Sequence, residues 1–327
     1  MTCPLFVLGS ANVDHLMHLP RLPGKGETVT GGTYLMTFGG KGANCAAAAA
    51  KAGGFVSFGG CIGEDGGGAA LRQALDQYGV NTVSLRTLPG VATGSALVMV
   101  GRAGGNYLSV APGANHAITP SMVEEWLSRV PDSGLVLLQN EIPEDANLAA
   151  LEVLRARGMR CLFNFAPVVP FPLDQLRSVQ WLVVNETEAD SLLRTLGHDA
   201  LSMTDPRRAA CELRAFGSAG VVITLGGKGV VCSDSGGSWQ VPSFPVKAVD
   251  TTAAGDTFCG AFAVALAEGF AAPEAVRFAN AAAALSVQEP GAMVSSPRRA
   301  AIDAWLATAS STSEPCSRFP CTTNPPP

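Results

Sequence analysis

Six short apolar runs set what this chain can become: residues 5–9, 55–61, 135–139, 161–165, 181–184 and 221–225. Most lack the polar/apolar alternation of a strand with one wet face, so each is read as a strand covered on both faces. Helical stretches follow them at 45–52, 66–78, 120–130, 144–157 and 187–196. Strand, helix, strand in that order brings the strands parallel, because a crossover must return the chain to the same edge. The expected fold is therefore α/β, a mainly parallel sheet flanked by helices in a Rossmann-like three-layer arrangement. Two early segments, 13–38 and 94–111, alternate without intervening helices. They are expected to form a small β-sheet lid projecting from the body, with Gly31-Gly32 turning a hairpin inside 27–38. Helices over 257–268, 273–289 and 297–307 complete one domain spanning residues 1–307. Residues 308–327, rich in Ser, Thr and Pro, are expected to be a disordered tail.

Hydrophobic residues make up 47% of the 327 and charged ones 15%, so a large core is available. A net charge of −5 speaks against nucleic acid or an acidic membrane as partner. No apolar run is long enough to span a membrane, and the N-terminus enters a strand directly rather than a signal peptide. Nine cysteines without CxxC spacing, most of them in apolar runs, are read as reduced core residues of a cytoplasmic protein.

The polar residues Asn12, Asn140, Glu141, Asn185 and the loop 226–229 all follow expected strands. In an open parallel sheet that edge is where ligands bind. Two small-residue turns open helices. Residues 39–44 lead into an alanine-rich helix, and Ala253-Ala254-Gly255-Asp256 follows an expected strand over 244–249. Backbone N–H groups at a helix start lack partners and favour an anion. Asp256 places a carboxylate beside that anion site, which suits proton abstraction during phosphoryl transfer, although a first-turn acidic residue is also ordinary helix chemistry. There is no P-loop, residues 40–45 only approach a dinucleotide fingerprint, the four histidines show no metal spacing, and no serine has a nucleophile-elbow context.

Gly39-Gly40-Lys41-Gly42-Ala43-Asn44 and Asp250-Thr251-Thr252-Ala253-Ala254-Gly255-Asp256-Thr257-Phe258 resemble the two signatures of the ribokinase-like (PfkB) carbohydrate kinases. Gly9-Ser10-Ala11-Asn12-Val13-Asp14, Asn185-Glu186-Thr187-Glu188 and Thr224-Leu225-Gly226-Gly227-Lys228-Gly229 occur in the order that family has them. The resemblance covers residues 5–307.

By that resemblance Asn12, Asp14, Gly40, Lys41, Gly42, Asn44 and Glu141 hold a sugar. Amide and carboxylate groups together suit a polyol, which both donates and accepts hydrogen bonds. Asn185, Thr224, Gly226, Gly227, Lys228, Gly229 and Asn280 take up ATP, and Glu188 organises Mg²⁺ and its waters. Asp250, Thr252, Ser286, Glu289, Gly291 and Ser295 match a monovalent-cation site, for K⁺. Asp256 is the catalytic base, with an anion hole made by the amides of 253–256. The implied activity is ATP-dependent phosphorylation of D-ribose at O5, with the lid closing over the sugar and pairing two chains as a homodimer. Another acceptor on the same fold (deoxyribose, fructose, a nucleoside) and a non-catalytic sugar sensor are the alternatives.

Overall fold

The computed structural model describes residues 3–102, 105–198, 204–309 and 316–321. The chain begins with β1 (Leu5–Leu8) and passes through three residues into β2 (Asn12–Leu19), then β3 (Thr33–Gly39) and helix α1 (Lys41–Lys51). Next come β4 (Val56–Gly63), α2 (Gly66–Gln77), β5 (Leu85–Leu88), β6 (Gly94–Gly101), β7 (Asn106–Ala111) and α3 (Pro120–Ser128). The middle alternates: β8 (Leu135–Gln139), α4 (Glu144–Arg157), β9 (Arg160–Asn164), β10 (Trp181–Asn185), α5 (Glu186–Thr195), α6 (Pro206–Ala215) and β11 (Gly220–Thr224). Antiparallel β12 (Val230–Asp234) and β13 (Gly237–Val241) follow, then α7 (Ala254–Ala267), α8 (Ala272–Ser286), α9 (Arg299–Ala309) and β14 (Ser317–Phe319).

Ten strands form the main sheet in the order β14-β13-β12-β11-β10-β9-β8-β1-β4-β5, and β11 to β5 run parallel. Alternate residues of each buried strand enter different cores. Leu162 and Val183 face the side that carries α1, α7 and α8, whereas Phe163 and Val184 face the side of α3, α4, α5 and α6. The lid is a separate sheet in the order β3-β2-β6-β7. It presents Tyr34, Leu35, Met36, Leu97, Tyr107 and Leu108 to solvent. Among the described residues no helix is long and apolar enough to cross a membrane.

The structure departs from the sequence reading in four places. Gly31 and Gly32 do not turn a hairpin inside 27–38. They take positive φ in the connection to β3, whose partner is β2. Residues 244–249 form no strand, and at their end the Val249 N–H goes to the carbonyl of Val287. The cysteines are not all thiols, since Cys211 of α6 is bonded to Cys321. Last, 308–327 is not uniformly a disordered tail. Helix α9 runs to Ala309, and β14 pairs antiparallel with β13, Phe319 opposite Ser238. The Arg207 guanidinium lies over the Phe319 ring at 5.3 Å. The remaining tail residues lie outside those described. A short apolar edge contact gains little from local composition, so the Ser/Thr/Pro bias hid it.

The disulfide closes a separation of 110 residues. Cross-links of that span stabilise by about 2–4 kcal/mol, and a chain of this size loses a few degrees per kcal/mol. A protein ending at Ala309 should therefore melt about 5 °C or more below the oxidised full chain, and reductant should remove most of the gap. Coincident melting curves for the two oxidised proteins would show that the tail strand contributes nothing.

Candidate active site

Helix α7 starts without a side-chain cap. Its N-cap residue Ala253 has φ 56, the left-handed region that a Cβ disfavours. The turn gives the N–H of Ala254 to the carbonyl of Thr251 at 3.2 Å, so that amide is not one of the free donors expected there. Those of Ala253, Gly255 and Asp256 find no backbone acceptor among the described residues. They border a cavity of about 190 Å³ together with Lys41, Asn164, Asn185, Glu188 and Thr224. The start of a long buried helix thus offers three amides and its positive dipole end to whatever enters.

Asp256 lies in that first turn, only 6% exposed. Its Oδ2 accepts 2.9 Å from Asn44 Nδ2 on α1. Burial raises its pKa, Lys41 and the Asn44 bond work against the rise, and the net position is about 6. The attraction of Asp256 is in turn the largest influence holding Lys41 protonated. Asn44 leaves its Oδ1 buried and unpaired.

On one side of this pair stand the expected sugar-binding residues. Glu141 Oε2 accepts 2.6 Å from Ser10 Oγ and 2.9 Å from the Lys41 amide, tying the loop after β8 to the ends of β1 and α1. Gly40, at φ 86, caps α1. A Cβ at Gly42 would come 2.6 Å from the carbonyl carbon of Gly9, so only glycine lets α1 start against β1. Asn12 and Asp14 stand at the root of the lid on β2. Asn12 Oδ1 accepts 2.7 Å from Asn115 Nδ2, and Asn115 Oδ1 accepts from the Ala11 amide. Burial, then the Glu141 charge, push Asp14 up to about 7.

On the other side Asn185 and Thr224 are cross-strand partners at the ends of β10 and β11. Asn185 and Glu188 form a reciprocal capping box at the start of α5. Asn185 Oδ1 accepts from the Glu188 amide and Glu188 Oε2 accepts from the Asn185 amide, both at 2.8 Å. Burial raises the pKa of Glu188, against the Asn185 bond and the Lys41 charge. Residues Gly226–Lys228 make a single 3₁₀ turn, and Lys228 Nζ meets Glu186 at 3.3 Å. One N–H of Asn280 donates 3.3 Å to the Pro242 carbonyl, which orients the carboxamide.

Among the expected cation residues, Asp250, Thr252 and Gly291 are joined by hydrogen bonds. Asp250 accepts from the Thr252 amide and hydroxyl and, at 2.8 Å, from the Gly291 amide. Burial opposes ionisation of Asp250, but these bonds outweigh it and hold the pKa below the usual value. The hydroxyls of Ser286 and Ser295 donate to carbonyls of their own turns, and the Glu289 amide donates to the Ser286 carbonyl. Sequence reasoning missed Ser10, Asn115 and Asn164. The signal for Asn164 was its place at a strand end, concealed because the strand was drawn one residue past it, to 165.

Residues 4–299 match the family model described as pfkB family carbohydrate kinase. The chain is 38% identical over 295 residues to a ribokinase from Haemophilus influenzae, covering 90% of this chain and 95% of that protein. It is 36% identical over 300 residues to a ribokinase from Bacillus subtilis, covering 92% and 98%. The structure of Arabidopsis thaliana ribokinase complexed with ribose and ATP superposes with a TM-score of 0.84 at 35% identity, covering 94% of this chain and 99% of that one.

The left-handed Ala253 makes an unusual stability test. Ala→Gly inside a helix costs roughly 1 kcal/mol, whereas glycine at a left-handed position removes a Cβ penalty of about 1–2 kcal/mol. Ala253→Gly should therefore raise the urea midpoint, while Ala261→Gly in the same helix lowers it. A lower midpoint for Ala253→Gly would mean that the methyl group packs better than its backbone angle suggests.

Proposed function

The chain belongs to the pfkB family of carbohydrate kinases, and from that premise we propose that it transfers the γ-phosphoryl group of ATP to O5 of D-ribose. The observation that carries this reading is one helix turn. Asp256 offers a buried carboxylate to a hydroxyl, and the Gly255 and Asp256 amides face the same cavity as hydrogen-bond donors to negative charge. The relatives named ribokinase supply the choice of sugar.

In this reading ribose lies among Asn12, Asp14, Asn44 and Glu141 with O5 toward Asp256. The carboxylate takes the O5 proton as O5 bonds to the γ-phosphorus. The bond from that phosphorus to the β–γ bridging oxygen breaks, and ADP carries away the electron pair. The amides and the Lys41 cation stabilise charge on the transferred group, and they are already in place before the reaction. Asn185 and Thr224 lie on the nucleotide side. Mg²⁺ would be organised by Glu188, whose Oε2 is engaged by the capping box and whose other oxygen remains for a metal-bound water. That ion would neutralise phosphate charge. K⁺ would rest beside Asp250 and nearby carbonyls. The lid sheet closes over the sugar, which keeps water from replacing it as acceptor. Its exposed apolar face pairs two chains into a homodimer. The kinase unit takes in β14 at the edge of the main sheet, and dependence on ATP suits a cytoplasmic location.

An ADP-release assay across pentoses, hexoses and nucleosides tests the assignment. Ribose should show the highest kcat/KM, and a hexose or nucleoside used markedly better would overturn the choice of sugar. Asp256→Asn should lower turnover by about 10²–10⁴-fold. In the wild type, protonating Asp256 near pH 6 removes the base, and protonating Asp14 near pH 7 removes a sugar acceptor. The kcat/KM for ribose should therefore fall as pH drops below neutral and level off above it. Asp14→Asn should remove the upper inflection. A profile flat from pH 5 to 8 would contradict both roles.

A monovalent cation beside Asp250 would brace the turn that carries the amides, so it should act mainly on kcat. K⁺ should then stimulate the wild type severalfold over Na⁺ at equal ionic strength, and Asp250→Asn should lose the difference. Equal rates in both salts would remove the cation from the reading and leave the kinase.

A further inference from the structure

Asn164 ends β9 at the middle of the site, and none of the roles above uses it. Residues along β9 alternate between the two cores. Cys161 and Phe163 enter the core beneath α3 and α4, so Leu162 and Asn164 point to the opposite face, that of α1 and α7. Asn164 is paired with Gln139 on one side and with Val183 on the other. The chain beyond Gln139 leads to Glu141, and β10 beyond Val183 leads to Asn185 and Glu188. Its carboxamide therefore stands between the sugar side and the nucleotide side, across the cavity from the first turn of α7.

The carboxamide is also unpartnered. Asn164 is 6% exposed, lines the cavity with Lys41 and Asp256, and its side chain makes no hydrogen bond among the described residues. The neighbouring amides differ. Asn140 is held by the Pro167 carbonyl, Asn147 by the Gln139 carbonyl, and Asn44 by Asp256. The open side of Asn164 is the cavity, where a ligand oxygen can take the place of water at the amide.

We infer that Asn164 is a further catalytic residue, donating an Nδ2 hydrogen bond to an oxygen of the transferred phosphoryl group. It approaches from the sheet side while the Gly255 and Asp256 amides approach from the helix side. This rests on the proposal that the cavity receives the γ-phosphoryl group of ATP. A donor on each side would hold the group in line between O5 and ADP through the transfer.

The test uses the full chain with Asn164→Ala and with Asn164→Leu, which keeps the bulk and removes the amide. The measurements are kcat, both KM values, melting temperature, and calorimetric affinity for ADP and for a non-hydrolysable ATP analogue. Removing one such donor should lower kcat by about 10²-fold, with the ribose KM little changed. Affinity for the ATP analogue should fall while affinity for ADP, which lacks the γ-phosphoryl group, stays the same. A folded variant with wild-type kcat overturns the inference. So does a loss confined to the ribose KM, which would make Asn164 a sugar contact. So does an equal loss of both nucleotide affinities with a lower melting temperature, which would make it structural. A wild type inactive on every sugar would instead refute the parent reading, because the ADP-versus-analogue difference is read without turnover.

Discussion

The site depends on a contact between two helices that begin 213 residues apart, at Lys41 in α1 and Ala254 in α7. They pack through alanine and glycine. A Cβ at Gly260 would come 2.6 Å from the Cys45 carbonyl and 2.9 Å from the Ala48 Cβ. That closeness lets a side chain as short as Asn44 reach Asp256 at 2.9 Å. Larger residues along this seam would push α7 away and leave the carboxylate without its donor. The alanine-rich stretch 46–50 is therefore more than a helix former. It sets the distance between the helix holding the proposed base and the helix presenting Lys41.

The same contact removes water from several charges at once. Asp256, Glu141 and Glu188 surround Lys41 and favour its charged form, and the two glutamates also raise the pKa of Asp256. Desolvation raises Asp256, and the cation limits how far. Lys41 without its carboxylates would be a costly buried charge, and Asp256 and Glu188 without Lys41 would hold protons more readily. The balance leaves a base that is ionised at neutral pH yet still basic, a useful state for taking a proton from a hydroxyl.

The parallel sheet arranges the chemistry in space. Its strands end on one edge, and neighbours across the sheet follow β1, β8, β9, β10, β11. Along that edge lie Asn12 beyond β1, Glu141 beyond β8, Asn164 on β9, Asn185 on β10 and Thr224 on β11. Read in that order, the groups proposed for sugar, transferred phosphoryl and nucleotide form a line. The lid adds no strand to this edge and is joined to it through residues 9–11, which places Asn12 and Asp14 where the body meets the flap.

The α/β class, the two-part organisation into body and lid, and the strand-end position of Asn12, Glu141 and Asn185 were legible in the sequence. They follow from local rules: apolar runs buried on both faces, period-two alternation in the lid, and small residues where a helix must start close to backbone. Tertiary structure alone decided what required distant partners. Residues 244–249 have strand composition, but they form no strand and their last amide, that of Val249, goes to Val287. The tail strand and the Cys211–Cys321 bond depend on an open edge at β13 that nothing near residue 321 announces. The Ala254 amide looks free in sequence and is already bonded within its turn, and the orientation of the Asn280 carboxamide is set by Pro242. Asn164 reads as the end of a buried strand until its neighbours on both sides are known. A residue's pattern records which face it prefers, but its hydrogen-bond partner is set by whatever folding brings within 3 Å, and that depends on the whole chain.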